Sequence, residues 1–151
     1  MRMKMLAGVL VLLACSGKTW ALCEGGYPNL SVAQEARDAR LVVIARPQTF
    51  ELVRDVAEDP DGYVATRIHL AIDAVLRGMP PEPGKAGFLT ILNPNTSARF
   101  PMDERDAGTS WLLFIREGEE GYWVDSCGHS GKRAARGATI RRLRQLGAGP
   151  R

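Results

Sequence analysis

The chain has 151 residues, 45% of them apolar and 25% charged, with a formal net charge of +3. Once an export leader is set aside, about 130 residues remain, enough for one domain with a real core and too few for two. No internal repeat or low-complexity segment occurs, which excludes a repeat array.

The first 21 residues read as that leader. Arg2 and Lys4 precede the apolar run "MLAGVLVLLA" at 5–14, which suits the h-region of a secretory signal and is too short to span a bilayer. Thr19-Trp20-Ala21 offers a small-x-small cleavage site that leaves a mature chain starting at Leu22. "LLAC" at 12–15 also resembles a bacterial lipobox, in which Cys15 would be acylated and anchor the protein. Cleavage after Ala21 is favoured, because "LLAC" is an ordinary way for an h-region to end. The expectation is a bacterial-type exported protein, periplasmic or secreted, with a lipoprotein anchored through Cys15 as the alternative. Either route leaves Cys23 and Cys127, which in an oxidising compartment are expected to form a disulfide. Loop-closure entropy gives such a bridge, spanning roughly 100 residues, about 4–5 kcal/mol less any strain.

Along the mature chain, Ser31 followed by Gln34 is a capping-box pattern, and "SVAQEARDAR" at 31–40 predicts a short helix. "LVVIA" at 41–45 opens a long strand that continues through "RPQTFELVRDV", with Pro47 marking an edge or bulge. "EDPDG" at 58–62 supplies a turn. From 63 to 76 the even positions, Val64, Thr66, Ile68, Leu70, Ile72, Ala74 and Leu76, alternate with odd ones that include Arg67, His69 and Asp73. That is the period-two pattern of a long half-buried strand. "RGMPPEPGKAG" breaks it, "FLTIL" at 88–92 predicts a third strand, and a polar loop follows over 93–108. "SWLLFIR" at 110–116 predicts a fourth strand and "YWVDSC" at 122–127 a fifth. "GATIRRLRQLG" at 137–147 predicts a short helix whose Ile140, Leu143 and Leu146 face docks on the core. The fold class is mainly β: a five-stranded OB-type barrel with short N- and C-terminal helices, or alternatively a sandwich.

These residues resemble a family. A cysteine just after a signal, the strand "ARLVVIARPQTF", a strand ending "AIDAVLRG", the strand "GTSWLLFI" and a late "DSCGHS" together resemble the netrin-like, tissue-inhibitor-of-metalloproteinase-like (TIMP-like) domain. The likeness covers 23–130 and implies an OB-fold barrel that binds proteins rather than catalysing a reaction. It divides the chain into a signal peptide at 1–21, the domain at 22–131 and a basic tail with a short helix at 132–151. The family's inhibitors coordinate a protease's zinc through the α-amino group and carbonyl of a leading cysteine. Only Cys23 matches that position, and it departs from the pattern: Leu22 precedes it after cleavage, and "EGGYP" follows without a second early cysteine. Metalloproteinase inhibition therefore stands behind a general binding role.

"VDSCGHSG" at 124–131 gathers a thiol, an imidazole, two hydroxyls and a carboxylate. If it is a strand, Cys127 and His129 point to one face, which would allow a thiol nucleophile beside a base. Nucleophile and base ordinarily come from distant segments, and a disulfide-bonded Cys127 has no thiolate, so the structural bridge is the preferred reading and no catalytic residue is assigned. No metal site is expected, since Cys127, His129, His69 and Cys23 show no metal-ligand spacing. His69 reads as a side chain on the polar face of its strand. No phosphate-binding or nucleophile-elbow motif occurs, and no cofactor is expected. Asn95-Thr96-Ser97 fits a glycosylation sequon that the bacterial-type signal sets aside.

Three of the 20 basic residues, Arg2, Lys4 and Lys18, lie in the leader, so the mature chain balances 17 against 17 acids. The balance is lopsided: 128–151 holds seven basic residues and no acid, leaving −7 over 22–127. A basic tail on an acidic body suits an acidic protein partner, an anionic envelope surface or the domain itself. Nucleic acid is a poor partner for an exported protein, and membrane contact would run through Cys15 or the tail. Candidate partner contacts are Asn93, Asn95 and Arg99 in the loop and Arg141, Arg142 and Arg144 in the tail. The expected function is a disulfide-stapled binding module, with a thiol-dependent enzyme or redox protein using Cys127 and His129 as the alternative.

Overall fold

A computed structural model describes residues 23, 28–54, 62, 64–79 and 87–147. The leader at 1–21 with Cys15 and its cleavage site, most of the 58–62 turn, most of the break at 77–87 and the end of the tail lie outside the described residues. Among the described residues the fold is mainly β, with two α-helices. The elements run α1 (Val32–Asp38), β1 (Leu41–Val53), β2 (Ala65–Arg77), β3 (Phe88–Pro94), β4 (Trp111–Gly118), β5 (Gly121–Val124), β6 (Gly131–Lys132) and α2 (Gly137–Gly147).

The six strands form one sheet in the order β1-β2-β3-β5-β4-β6, and an added β1–β4 pairing makes a ring of five. Strands β1 to β3 form a meander, and the long connection after β3 returns β4 to the far side of β1, the Greek-key arrangement. All pairings are antiparallel except β3–β5, which is parallel and registers Ile91 with Tyr122.

Apolar residues bury on both sides of β1 and β4. Leu41, Val43, Ala45, Trp111, Leu113 and Ile115 face an inner cluster with Ile68, Leu70, Leu89, Ile91, Phe100, Met102 and Val124. Val42, Ile44, Leu112 and Phe114 face outward, where Ala36 of α1 and Ile140 and Leu143 of α2 cover them. This double burial is why "LVVIA" and "WLLFI" are unbroken apolar runs while β2 alternates. Full burial of each such side chain contributes about 1.5–3 kcal/mol relative to exposure.

Helix α1 begins as its sequence predicts, with the Ser31 Oγ accepting from Gln34 N at 3.2 Å. In α2, Ile140 and Leu143 dock, whereas Leu146 is 37% exposed, so the docking face is one residue shorter than expected. The fifth strand stops at Val124 rather than reaching Cys127, because the Asp125 carboxylate captures the Cys127 N–H at 2.8 Å and turns the chain.

The alternation in β2 holds only as far as Ile72. Ala45 pairs with Ile72 and Ile44 with Ala74, which leaves Asp73 extra; Val43 pairs with Val75 and Val42 with Arg77, which leaves Leu76 extra. Each extra residue reverses the side on which the following residues lie. Leu76 accordingly packs with the outer cluster, not the inner one. On β1 the shift falls between Pro47 and Thr49, so Gln48 is the extra residue beside the proline, and it turns Phe50 toward the inner cluster.

Gly78 ends β2 at φ +83°, and a Cβ there would come within 2.5 Å of the Arg40 carbonyl oxygen at the α1–β1 junction. The contact is with backbone, which cannot move aside cheaply. Gly78→Ala is expected to cost about 2–4 kcal/mol in urea unfolding, and Gly108→Ala about 1. Gly108 has φ +75° with nothing within 4 Å of its Cβ position.

Candidate functional site

In the 124–131 segment, Asp125, Cys127, His129 and Ser130 each have a scaffold partner, while Ser126 Oγ stands 4.0 Å from the adjacent Cys127 Sγ. The Asp125 carboxylate closes the turn onto Cys127 N. Cys127 and Cys23 stand at disulfide distance, Cα to Cα 5.7 Å, across 104 positions, and the Cys127 carbonyl accepts from Asn29 N at 3.2 Å. Ser130 Oγ accepts from the Phe114 N–H of β4 at 2.9 Å, and its carbonyl accepts from the Arg136 guanidinium at 3.0 Å.

His129 is bound to a carboxylate that no local pattern points to. Glu35 of α1, 2% exposed, places Oε2 2.6 Å from His129 Nδ1 and 2.8 Å from the His129 backbone N–H. Gly128 packs directly against the same carboxylate, and any Cβ there would overlap it. Glu35 Oε1 is buried with no hydrogen-bond partner among the described residues. A carboxylate on Nδ1 fixes ring orientation and tautomer, as in an oriented general base. The neighbouring Cys127 sulfur stands at bonding distance from Cys23.

A second feature is a groove of about 770 Å³ where the far ends of β1 and β2 meet the 99–106 loop. Its apolar residues include Phe50, Leu52, Phe100 and Met102. Phe100 sits edge-on to Trp111 at 5.5 Å and is held by Asn93, whose amide both donates to and accepts from the Phe100 backbone at 2.9 Å. The rim is charged and paired. Asp103 caps the 3-10 turn Glu104–Asp106, and the Arg105 guanidinium, bonded to it, holds its carboxyl down at about 2. Buried Asp106 accepts from Asp103 N at 3.1 Å and pairs with Lys132 at 2.8 Å.

Asn93 and Arg99 both line the groove, but Asn93 is 3% exposed and its amide is committed to Phe100. Asn95 is exposed beside it, its N–H donating to Val64 O at 2.8 Å. Arg141, Arg142 and Arg144 are exposed on α2 and do not line the groove. His69 is half-buried in the outer row of β2, bonded to Thr90 at 3.0 Å. Among the described residues no group of three or more His, Cys, Asp or Glu side chains is placed to hold a metal ion, and no helix is long and apolar enough to cross a membrane. No family model matches the chain, and no curated protein matches it.

Two substitutions probe the segment in urea unfolding. Gly128→Ala is expected to cost about 2–4 kcal/mol, since it forces a methyl against a buried carboxylate. Ser130→Ala, which strips the buried Phe114 N–H of its acceptor, is expected to cost about 1–3 kcal/mol.

Proposed function

We propose that the chain is an exported, disulfide-stapled binding module with an OB-type barrel of the netrin-like, TIMP-like kind, acting by contact rather than by catalysis. The observation that carries this reading is the commitment of Asp125, Cys127, His129 and Ser130 to scaffold partners. A segment in which four of five reactive groups support the fold reads as an anchor rather than a reaction centre. The Greek-key ring of five strands supports the OB-type assignment. Two cysteines at disulfide distance, in a chain whose start reads as a secretory signal, support a bond formed on export. In this reading the groove between Phe50, Leu52 and the 99–106 loop is the contact surface, with an apolar floor for affinity and a charged rim for orientation.

A second reading rests on one distance. His129 Nδ1 lies 2.6 Å from Glu35, the geometry of an oriented base, and an unbridged Cys127 two residues away would be its nucleophile. Intact mass of the protein from its native export route, before and after reduction and alkylation, separates the two. The binding reading expects a mass beginning at Leu22, no alkylation without reductant, and a gain of two hydrogens on reduction. Alkylation of Cys127 in the untreated protein would favour the thiol enzyme instead. A mass beginning at Cys15 with added acyl chains would make the protein an anchored lipoprotein.

A further inference from the structure

Docking of Ile140 and Leu143 fixes the rotation of α2 and leaves Ala138, Arg141, Arg142 and Gln145 exposed on its opposite side. Arg144 is exposed on the flank, and Arg133 in the 3-10 turn just before the helix. Most basic side chains on the rest of the described surface have a carboxylate nearby: Arg40, Arg46, Arg67, Arg105 and Arg116 are each within 4.0 Å of one. None of Arg133, Arg141, Arg142 and Arg144 forms an ion pair with a described residue. Residues 128–151 hold no acid to supply a partner in sequence. The Arg141–Arg144 spacing sets like charges side by side on the helix, which costs folding stability with no ion pair to a described residue in return.

We propose that this arginine face of α2, with Arg133, docks the protein on the anionic phosphate headgroups of a membrane surface. Guanidinium forks match phosphate oxygens in pairs of hydrogen bonds. The face is the outer side of a helix, and of this basic segment the groove takes in only Lys132. A convex surface of one sign suits an extended planar polyanion rather than a small anion that needs to be enclosed. The apolar side of α2 is already buried, so the helix lies against headgroups without inserting. Leu146, 37% exposed, is the one large apolar side chain of the helix left at its margin. This inference extends the binding-module reading to a second surface, and it does not require the groove or the cysteine bridge.

The test is co-sedimentation of the protein, purified from its export route, with vesicles of phosphatidylcholine alone or mixed equally with phosphatidylglycerol, at low and high salt. Binding to the mixed vesicles only, weakened by salt, is expected. Each guanidinium at such a surface contributes roughly fivefold, so the triple variant R141Q/R142Q/R144Q should lose about a hundredfold in partitioning. The corresponding triple lysine variant should keep most of it. Unfolding midpoints check that the variants fold; if the triple glutamine variant does not, R142Q alone should lose roughly fivefold. Equal binding to both vesicle types, or a folded glutamine variant that binds like the unmodified protein, would overturn the proposal. So would absence of vesicle binding together with salt-sensitive self-association in sedimentation equilibrium, which would assign the face to the acidic body of a second copy.

Discussion

The Glu35 carboxylate, buried under the outer face of the sheet, ties the first helix to the segment after the last long strand. It accepts two N–H groups from one residue, the backbone and ring of His129, and Gly128 is the residue that lets the chain approach closely enough. Burying a carboxylate costs several kcal/mol unless it is paired and hydrogen-bonded. Here the pairing joins elements 94 positions apart, so the cost is offset only when both are in place. With α1 and the 125–131 segment fixed in this way, Val42, Ile44, Leu112 and Phe114 gain their cover and Cys127 meets Cys23.

The ring depends on the same arrangement. Strands β1 and β4 serve as shared walls, with the inner cluster on one side and the helices on the other. Strand β3, and β2 as far as Ile72, have only the inner cluster to satisfy, and the outer row there is polar: Arg67, His69 and Thr90 interact across it with Glu51 of β1. The Gln48 bulge bends β1 so that Phe50 and Leu52 reach the groove, where Phe100 and Met102 close the end of the inner cluster. Local irregularities in long strands thus determine where a concavity forms, a common use of bulges.

Much of this was legible in the sequence because it rests on short-range patterning. The apolar runs at 41–45 and 111–115, the Ser31 cap and the docked side of α2 all follow from periodicity and composition. Three features were not. The bulges at Asp73 and Leu76 depend on which β1 residues lie opposite, so a single strand's alternation cannot show where it reverses. Phe100 and Met102 sit in a segment whose prolines, Asn and charged residues read as polar loop, and their burial comes from Asn93 and Trp111 around them. Glu35 reads as an ordinary helix former, and only the three-dimensional approach of Gly128 and His129 gives it a buried role. The groove's apolar floor is not legible in the sequence for the same reason: its residues come from elements far apart along the chain.

The central claim, that "VDSCGHSG" is anchored by Glu35 and serves the fold, is tested most directly by a double-mutant cycle. Glu35→Ala, His129→Ala and the double variant would be compared in urea unfolding. Glu35→Ala should be the more costly single change, because it removes the acceptor of both His129 N–H groups, and the coupling should be about 1–3 kcal/mol. Additive losses, with a coupling below about 0.3–0.5 kcal/mol, would contradict the account and return His129 to the status of a free imidazole beside a cysteine.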